Sequence, residues 1–378
     1  MKHLTFIFTL LMAFLGIQQV QSQTYWDGTA DKNFPGEGTQ ASPYLISTPE
    51  QLAGLAERTN VDKEDFAGKY IKLTADIYLT NFNDPDKENW KEWEPIGHHY
   101  WVNEKEEEGR EAARDTCFFR GHFDGDGHTI YNMYYGGGLD WGSDITLDPV
   151  EWLEEWMAGG DPKSLDDLDF TPWFRGLFGF VKGSVANVTV ADARLSGVNV
   201  APVVVWVAED AVVRNCHARN NTILTTDGVP SFFTCTNLGL IENCTSQGEG
   251  VSPAAGLVVT NTASGVIRGC SVDVVSTGGW FGGVTYTNEG LIEQTSAKVD
   301  ITTDGYADGG GFTYTNGGAI RECYSTGGVK GKEVISSGGR GWLTGKIAGF
   351  CVMNTGYIES CYSTCDLTDL STTPYYDG

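Results

Sequence analysis

The chain has 378 residues, a formal net charge of −25, 12% aromatic residues and only 20% charged ones. That mix excludes a disordered chain, which would carry fewer aromatics and more charge. The acidic balance argues against nucleic acid and anionic lipid as partners, and suits cations, basic partners or neutral glycans.

Residues 1–22 read as an export signal. Lys2 and His3 precede an apolar run from Leu4 to Leu15, and Val20-Gln21-Ser22 resembles a cleavage site. The run is too short for a membrane span, so no transmembrane segment is expected. The mature chain would begin near Gln23 and act at the cell surface or outside the cell.

Residues 23–135 are expected to hold a cap and the first turns of the fold. Thr48-Pro49-Glu50-Gln51 reads as a helix start, with Thr48 as N-cap, Pro49 at the first helical position and Gln51 closing a capping box. A short helix over 49–58 would cover one end of a sheet and block edge-to-edge pairing. The charged stretch 98–116 predicts a surface loop. His98 and His99 near Glu104 lack paired ligand spacing, so no metal site is expected. "FDGDGHTI" at 123–130 places Asp124, Asp126 and His128 at alternate positions, as in a calcium loop. Tyr135 stands where such a loop needs its final acid, so a tight glycine turn is the better reading.

Residues 136–172 form an insertion with ten acids and one lysine. "DPVEWLEEWMAGG" predicts a short helix, capped by Asp148, opened by Pro149 and ended by Gly159-Gly160. Trp152 and Trp156 are four apart and share a face. Two readings stand. The tryptophans pack onto the neighbouring wall, or Trp141, Trp152, Trp156, Glu151 and Glu155 form a glycan-binding patch.

From 173 to 378 the chain repeats. Val188, Cys216, Cys244, Cys270, Thr295, Cys323 and Cys361 recur at spacings of 25 to 28 residues, except for a last step of 38. Three before each lies Val185, Val213, Ile241, Ile267, Ile292, Ile320 or Ile358. Asn237, Asn288, Asn316 and Asn354 lie seven before their anchors, with Asn261 displaced by an insertion. Two before the anchors the charges alternate: Arg214, Glu242, Arg268, Glu293, Arg321, Glu359. Units this short cannot bury a core alone and must stack. Val/Ile/Thr-rich segments broken by Gly and Asn favour strands. The expected fold is all-β: a right-handed parallel β-helix of three-strand coils, with an N-terminal helical cap and an inserted loop or helix.

In that stack the alternating charges form an ion-pair ladder and the asparagines an amide ladder. The cysteines become one column of small side chains. The apolar and cysteine columns are three apart, which is odd parity, so a bend must separate them. Rung spacing with parallel side chains disfavours disulfides up the column. Nine cysteines also leave at least one thiol unpaired.

"GLFGFVKGSVANVTV" at 176–190 resembles the GLUG motif of bacterial surface proteins, and the later "N-x-G-x-I-x-x-C" units resemble drifting copies of it. "GTQASPYLISTPEQLAGLAE", "GKYIKLTADIYL", "WEPIG" and "FRGHFDGDGHTIYNM" resemble the segment that leads into such a domain. The resemblance covers nearly all of the mature chain. It implies a β-helical, exported or cell-surface protein, of the kind that serves as an adhesin or an accessory module. No catalytic motif is found, and no cofactor is expected. A secreted or surface binding module for extracellular glycans or host and cell-surface proteins is favoured. A carbohydrate-active enzyme and a stalk presenting a further C-terminal domain are the alternatives. The glycine-rich approach to another unit at "PYYDG" predicts that the 173–378 repeats continue beyond Gly378.

Overall fold

The structure is a computed structural model, and it describes residues 23–102, 113–136, 174–225, 229–303, 307–331, 334–335, 343–344 and 346–370. The chain coils into a parallel β-helix with three strand-bearing walls. A typical turn runs Thr234–Asn237, Leu240–Glu242, Thr245–Val251, one strand to each wall. The first wall is a ten-stranded sheet from Tyr44–Ile46 to Tyr357–Glu359. The second has eleven strands and ends at Tyr362–Asp369, and the third has seven, from Phe178–Val181 to Cys351–Asn354. Every pair along these walls is parallel, and the register breaks at one bulge, between Ala218 and Asn221 on the second wall; on the first wall Ile241 lies against Val213 on one side and Ile267 on the other.

The apolar column explains the coil. Val185, Val213, Ile241, Ile267, Ile292 and Ile320 stack on the first wall, each fully buried. Val188, Cys216, Cys244, Cys270, Thr295 and Cys323 fill the same interior three residues on. The bend that odd parity demands is present in every turn. The residue just before each anchor has a left-handed backbone: Asn187, Asn215, Asn243, Gly269, Gln294, Glu322 and Ser360, with φ between 51° and 63°. Asn and Gly adopt this conformation readily, whereas Gln, Glu and Ser do so at a cost. Here the stacked neighbours supply the compensation.

The cap is a helix, α1 (Pro49–Asn60), two residues longer than the sequence predicts. Thr48 accepts from the Gln51 backbone N–H at 3.3 Å, as an N-cap should. Gln51 turns one residue further back than expected. Its Oε1 accepts from the N–H of Ser47, at 2.9 Å. Leu52 and Leu55 are fully buried and join the β-helix core, so the helix closes that end of the stack. The stretch 98–116 departs from the expected loop. Its ends, His98–Val102 and Ala113–Cys117, pair as antiparallel strands. "FDGDGHTI" folds as a tight turn: Asp126 and Gly127 have φ of 51° and 82°, and the Asp126 N–H donates to Asp124 Oδ1. Among the described residues, no helix is long and apolar enough to cross a membrane.

Candidate functional site

Three columns run up the walls. Asn237 donates through Nδ2 to Asn261 Oδ1, Asn261 to Asn288, Asn288 to Asn316 and Asn316 to Asn354, at 2.7–2.8 Å each. The first four are buried and Asn354 is exposed. The charges Arg214, Glu242, Arg268, Glu293, Arg321 and Glu359 occupy consecutive register positions. Arg268 reaches Glu293 at 2.6 Å and Glu242 at 3.4 Å, and Arg321 reaches Glu359 at 3.7 Å. A second ladder escaped the sequence reading. On the second wall Lys298 pairs with Asp273 at 3.1 Å, and Lys330 with Asp300 at 2.9 Å.

The cysteine column does more than fill space. The Cys244 N–H donates to Cys270 Sγ, Cys270 N–H to Thr295 Oγ1, Thr295 N–H to Cys323 Sγ, and Cys323 N–H to Cys361 Sγ. Each side chain donates back to the carbonyl two residues earlier, as Cys323 does to Arg321 at 3.0 Å. The left-handed corner lifts that N–H out of the strand ladder, and the next side chain in the column satisfies it. All nine cysteines are free thiols. Burial pushes the Cys244 thiol well above its ordinary value and Cys323 up to about 12, which suits a structural role.

A polar pocket of about 320 Å³ opens on the second wall. Three further left-handed corners line it: Asn132, Asp192 and Asn220, with φ of 60°, 56° and 54°. They are stacked one per turn, because the Asn132 N–H donates to Ala191 O and the Asp192 N–H to Arg219 O. Asn and Asp suit these corners for conformational reasons. The stack also brings an amide, a carboxylate and a second amide to one surface. Arg194, Asn83 and Thr222 complete the polar lining, and Phe82 closes one side. The Arg194 guanidinium lies 4.0 Å from the Phe82 ring centroid and 5.5 Å from that of Trp90, which holds its plane fixed. No hydrogen bond to the Asp192 carboxylate or the Asn220 amide is present among the described residues. Asp192 and Asn220 are 28 apart, the repeat spacing, and this was the signal available in the sequence.

No family model matches the chain, and no curated protein matches it. Among solved structures it is similar to a putative immunoglobulin A1 protease from Bacteroides ovatus. The two are 15% identical, with 84% of this chain and 86% of that chain covered, at a TM-score of 0.45.

Trp141, Trp152, Trp156, Glu151 and Glu155, the glycan patch expected from sequence, lie outside the described residues. A second cavity, of about 440 Å³, lies beside α1, with Trp26, Ala53, Ala56 and Trp93 among its lining. Its carboxylates are already engaged, Glu57 by Lys32 at 2.7 Å and Glu94 by Arg175 at 3.0 Å. It is less suited to hydroxyl recognition than the pocket at Asp192. On the second wall, Tyr324 and Tyr362 stack in parallel at 5.2 Å and remain 39% and 58% exposed.

Proposed function

We propose that this chain is an exported, surface-exposed β-helical binding module for neutral glycans, held in the pocket of Asp192, Asn220, Asn132 and Arg194. The convergence of the Asp192 carboxylate and the Asn220 amide, neither hydrogen-bonded among the described residues, on one 320 Å³ pocket carries this reading; Asn132 Nδ2 donates to Thr80 O at 2.9 Å, and Arg194 stacks on Phe82. Carboxylate, amide and guanidinium planes bond vicinal hydroxyls in pairs, and pockets of a few hundred Å³ hold small ligands. The export signal and the GLUG-like units support a setting at the cell surface, where such ligands occur. The exposed Tyr324–Tyr362 stack favours a second reading, an adhesin-like contact with a protein, since exposed aromatics of this kind mark interaction surfaces.

A neutral glycan array, followed by titration calorimetry on any hit, tests the first reading. Asp192→Ala and Asn220→Ala are expected to weaken binding while Tyr362→Ala leaves it intact. Glycan binding that survives Asp192→Ala and Asn220→Ala together would remove this pocket from the account. Loss on Tyr362→Ala alone would move the contact to the tyrosine face.

A further inference from the structure

Cys117 stands apart from the other eight cysteines. It sits at the end of the Ala113–Cys117 strand, directly opposite His98 in the antiparallel pair. Its Sγ lies 3.2 Å from Lys63 Nζ, 3.8 Å from His98 Nε2 and 3.6 Å from the Asn60 carbonyl oxygen. Lys63 follows α1 on a left-handed backbone, at φ 60°, in the segment that carries its ammonium to the sulfur. His98 and Asn60 line the cavity beside α1, while Cys117 and Lys63 border a neighbouring one, of about 210 Å³, lined also by Thr59, Asp65, Phe118 and Arg120. Asp65 and Arg120 pair at its rim, at 3.4 Å, about half exposed. The ladder cysteines face carbonyls and N–H groups inside the β-helix. Cys117 faces a cation and a cavity on one side and an imidazole on the other.

A cation at hydrogen-bond distance favours a thiolate over a thiol, and an adjacent imidazole can take the proton. We propose that Cys117 is a nucleophilic thiol that exchanges with small disulfides bearing carboxylates. Lys63 stabilises the sulfur, His98 holds the proton, and Arg120 attracts the carboxylate. In the exchange, Cys117 gives its proton to His98 Nε2 and its sulfur attacks one sulfur of the incoming disulfide. A new S–S bond forms to Cys117 and the original S–S bond breaks. The departing sulfur carries off the electron pair and takes the proton from His98. The incoming disulfide is the oxidant, and one small thiol is released.

The test incubates the whole folded protein with oxidised glutathione, an anionic disulfide, and in parallel with cystamine, a cationic one. Peptide mass mapping against time follows each cysteine. Mixed disulfide is expected first at Cys117, and faster from oxidised glutathione than from cystamine. Lys63→Gln is expected to slow the step about three- to tenfold near neutral pH, through loss of thiolate partly offset by higher intrinsic nucleophilicity. The proposal falls if Cys117 is modified only after denaturant is added, or if cystamine reacts as fast. It falls equally if Lys63→Gln leaves the rate unchanged. The first two outcomes are read on the unaltered protein, so a misfolded variant does not shelter it.

Discussion

The backbone N–H of Cys244 donates to the sulfur of Cys270, one turn along the β-helix, at 3.4 Å. The column is therefore a row of acceptors for N–H groups that the left-handed corners take out of the strand ladder. This explains how Thr295 can interrupt a cysteine series: its hydroxyl accepts from Cys270 N–H as the sulfurs do elsewhere.

Cys270→Ala leaves the Cys244 N–H buried without a partner and is expected to destabilise by about 1–3 kcal/mol. Cys270→Thr keeps an acceptor and should lie closer to the unaltered protein. Urea unfolding followed by circular dichroism ranks the two. Equal losses would mean that volume, not hydrogen bonding, sets this column.

Asn288 is a link in the middle of the amide ladder, accepting from Asn261 and donating to Asn316. Asn288→Ala removes both bonds at a buried position and is expected to cost about 2–4 kcal/mol. Asn354→Ala, at the exposed end, should cost less. Thermal melts of the two variants compare them directly, and a larger loss at Asn354 would refute the ladder as a stabilising unit.

Arg268 stands between Glu242 and Glu293. Arg268→Glu would stack three like charges on one edge of the first wall. A lower melting temperature is expected, with much of the loss recovered in high salt, because these groups are screened. A salt-independent loss would point instead to packing of the arginine stem.

His217 shares a hydrogen bond between Nδ1 and Thr245 Oγ1 at 2.8 Å, and burial holds its pKa below the ordinary imidazole value. The folded state therefore resists protonation more than the unfolded one. Its stabilising share is present above the ordinary imidazole pKa and is lost as pH falls through the lower folded value. Stability of the unaltered protein should decline over that acid range more steeply than that of His217→Gln. Parallel urea titrations at several pH values read the difference; identical slopes would exclude His217.

The parallel β-helix, the column positions and the bend were legible in the sequence because stacking imposes one rule on every turn. Ile241 and Ile267 repeat since each must face the same interior, and Arg268 opposes two glutamates since like charges would collide. The Asp273–Lys298 and Asp300–Lys330 pairs were not legible. They lie on long second-wall strands whose outward positions vary from turn to turn, so no period marks them. The pocket at Asp192 was hidden differently. Asn132 and Asp192 are separated by a long insertion, and only folding restores them to consecutive turns. The approach of Lys63 to Cys117 depends on a hairpin whose strands are ten residues apart in sequence, in a stretch too charged to read as strand.

The asparagine ladder has a direction. Each Nδ2 points towards the next oxygen, from Asn237 to Asn354, with none reversed. The side-chain dipoles therefore add head to tail, as peptide dipoles do along a helix. A column of uncharged residues thus behaves as a weak electret along the axis, its positive pole at Asn354. Turning any interior amide around would break the bonds on both sides of it, so the polarity is locked for the stack as a whole rather than chosen turn by turn.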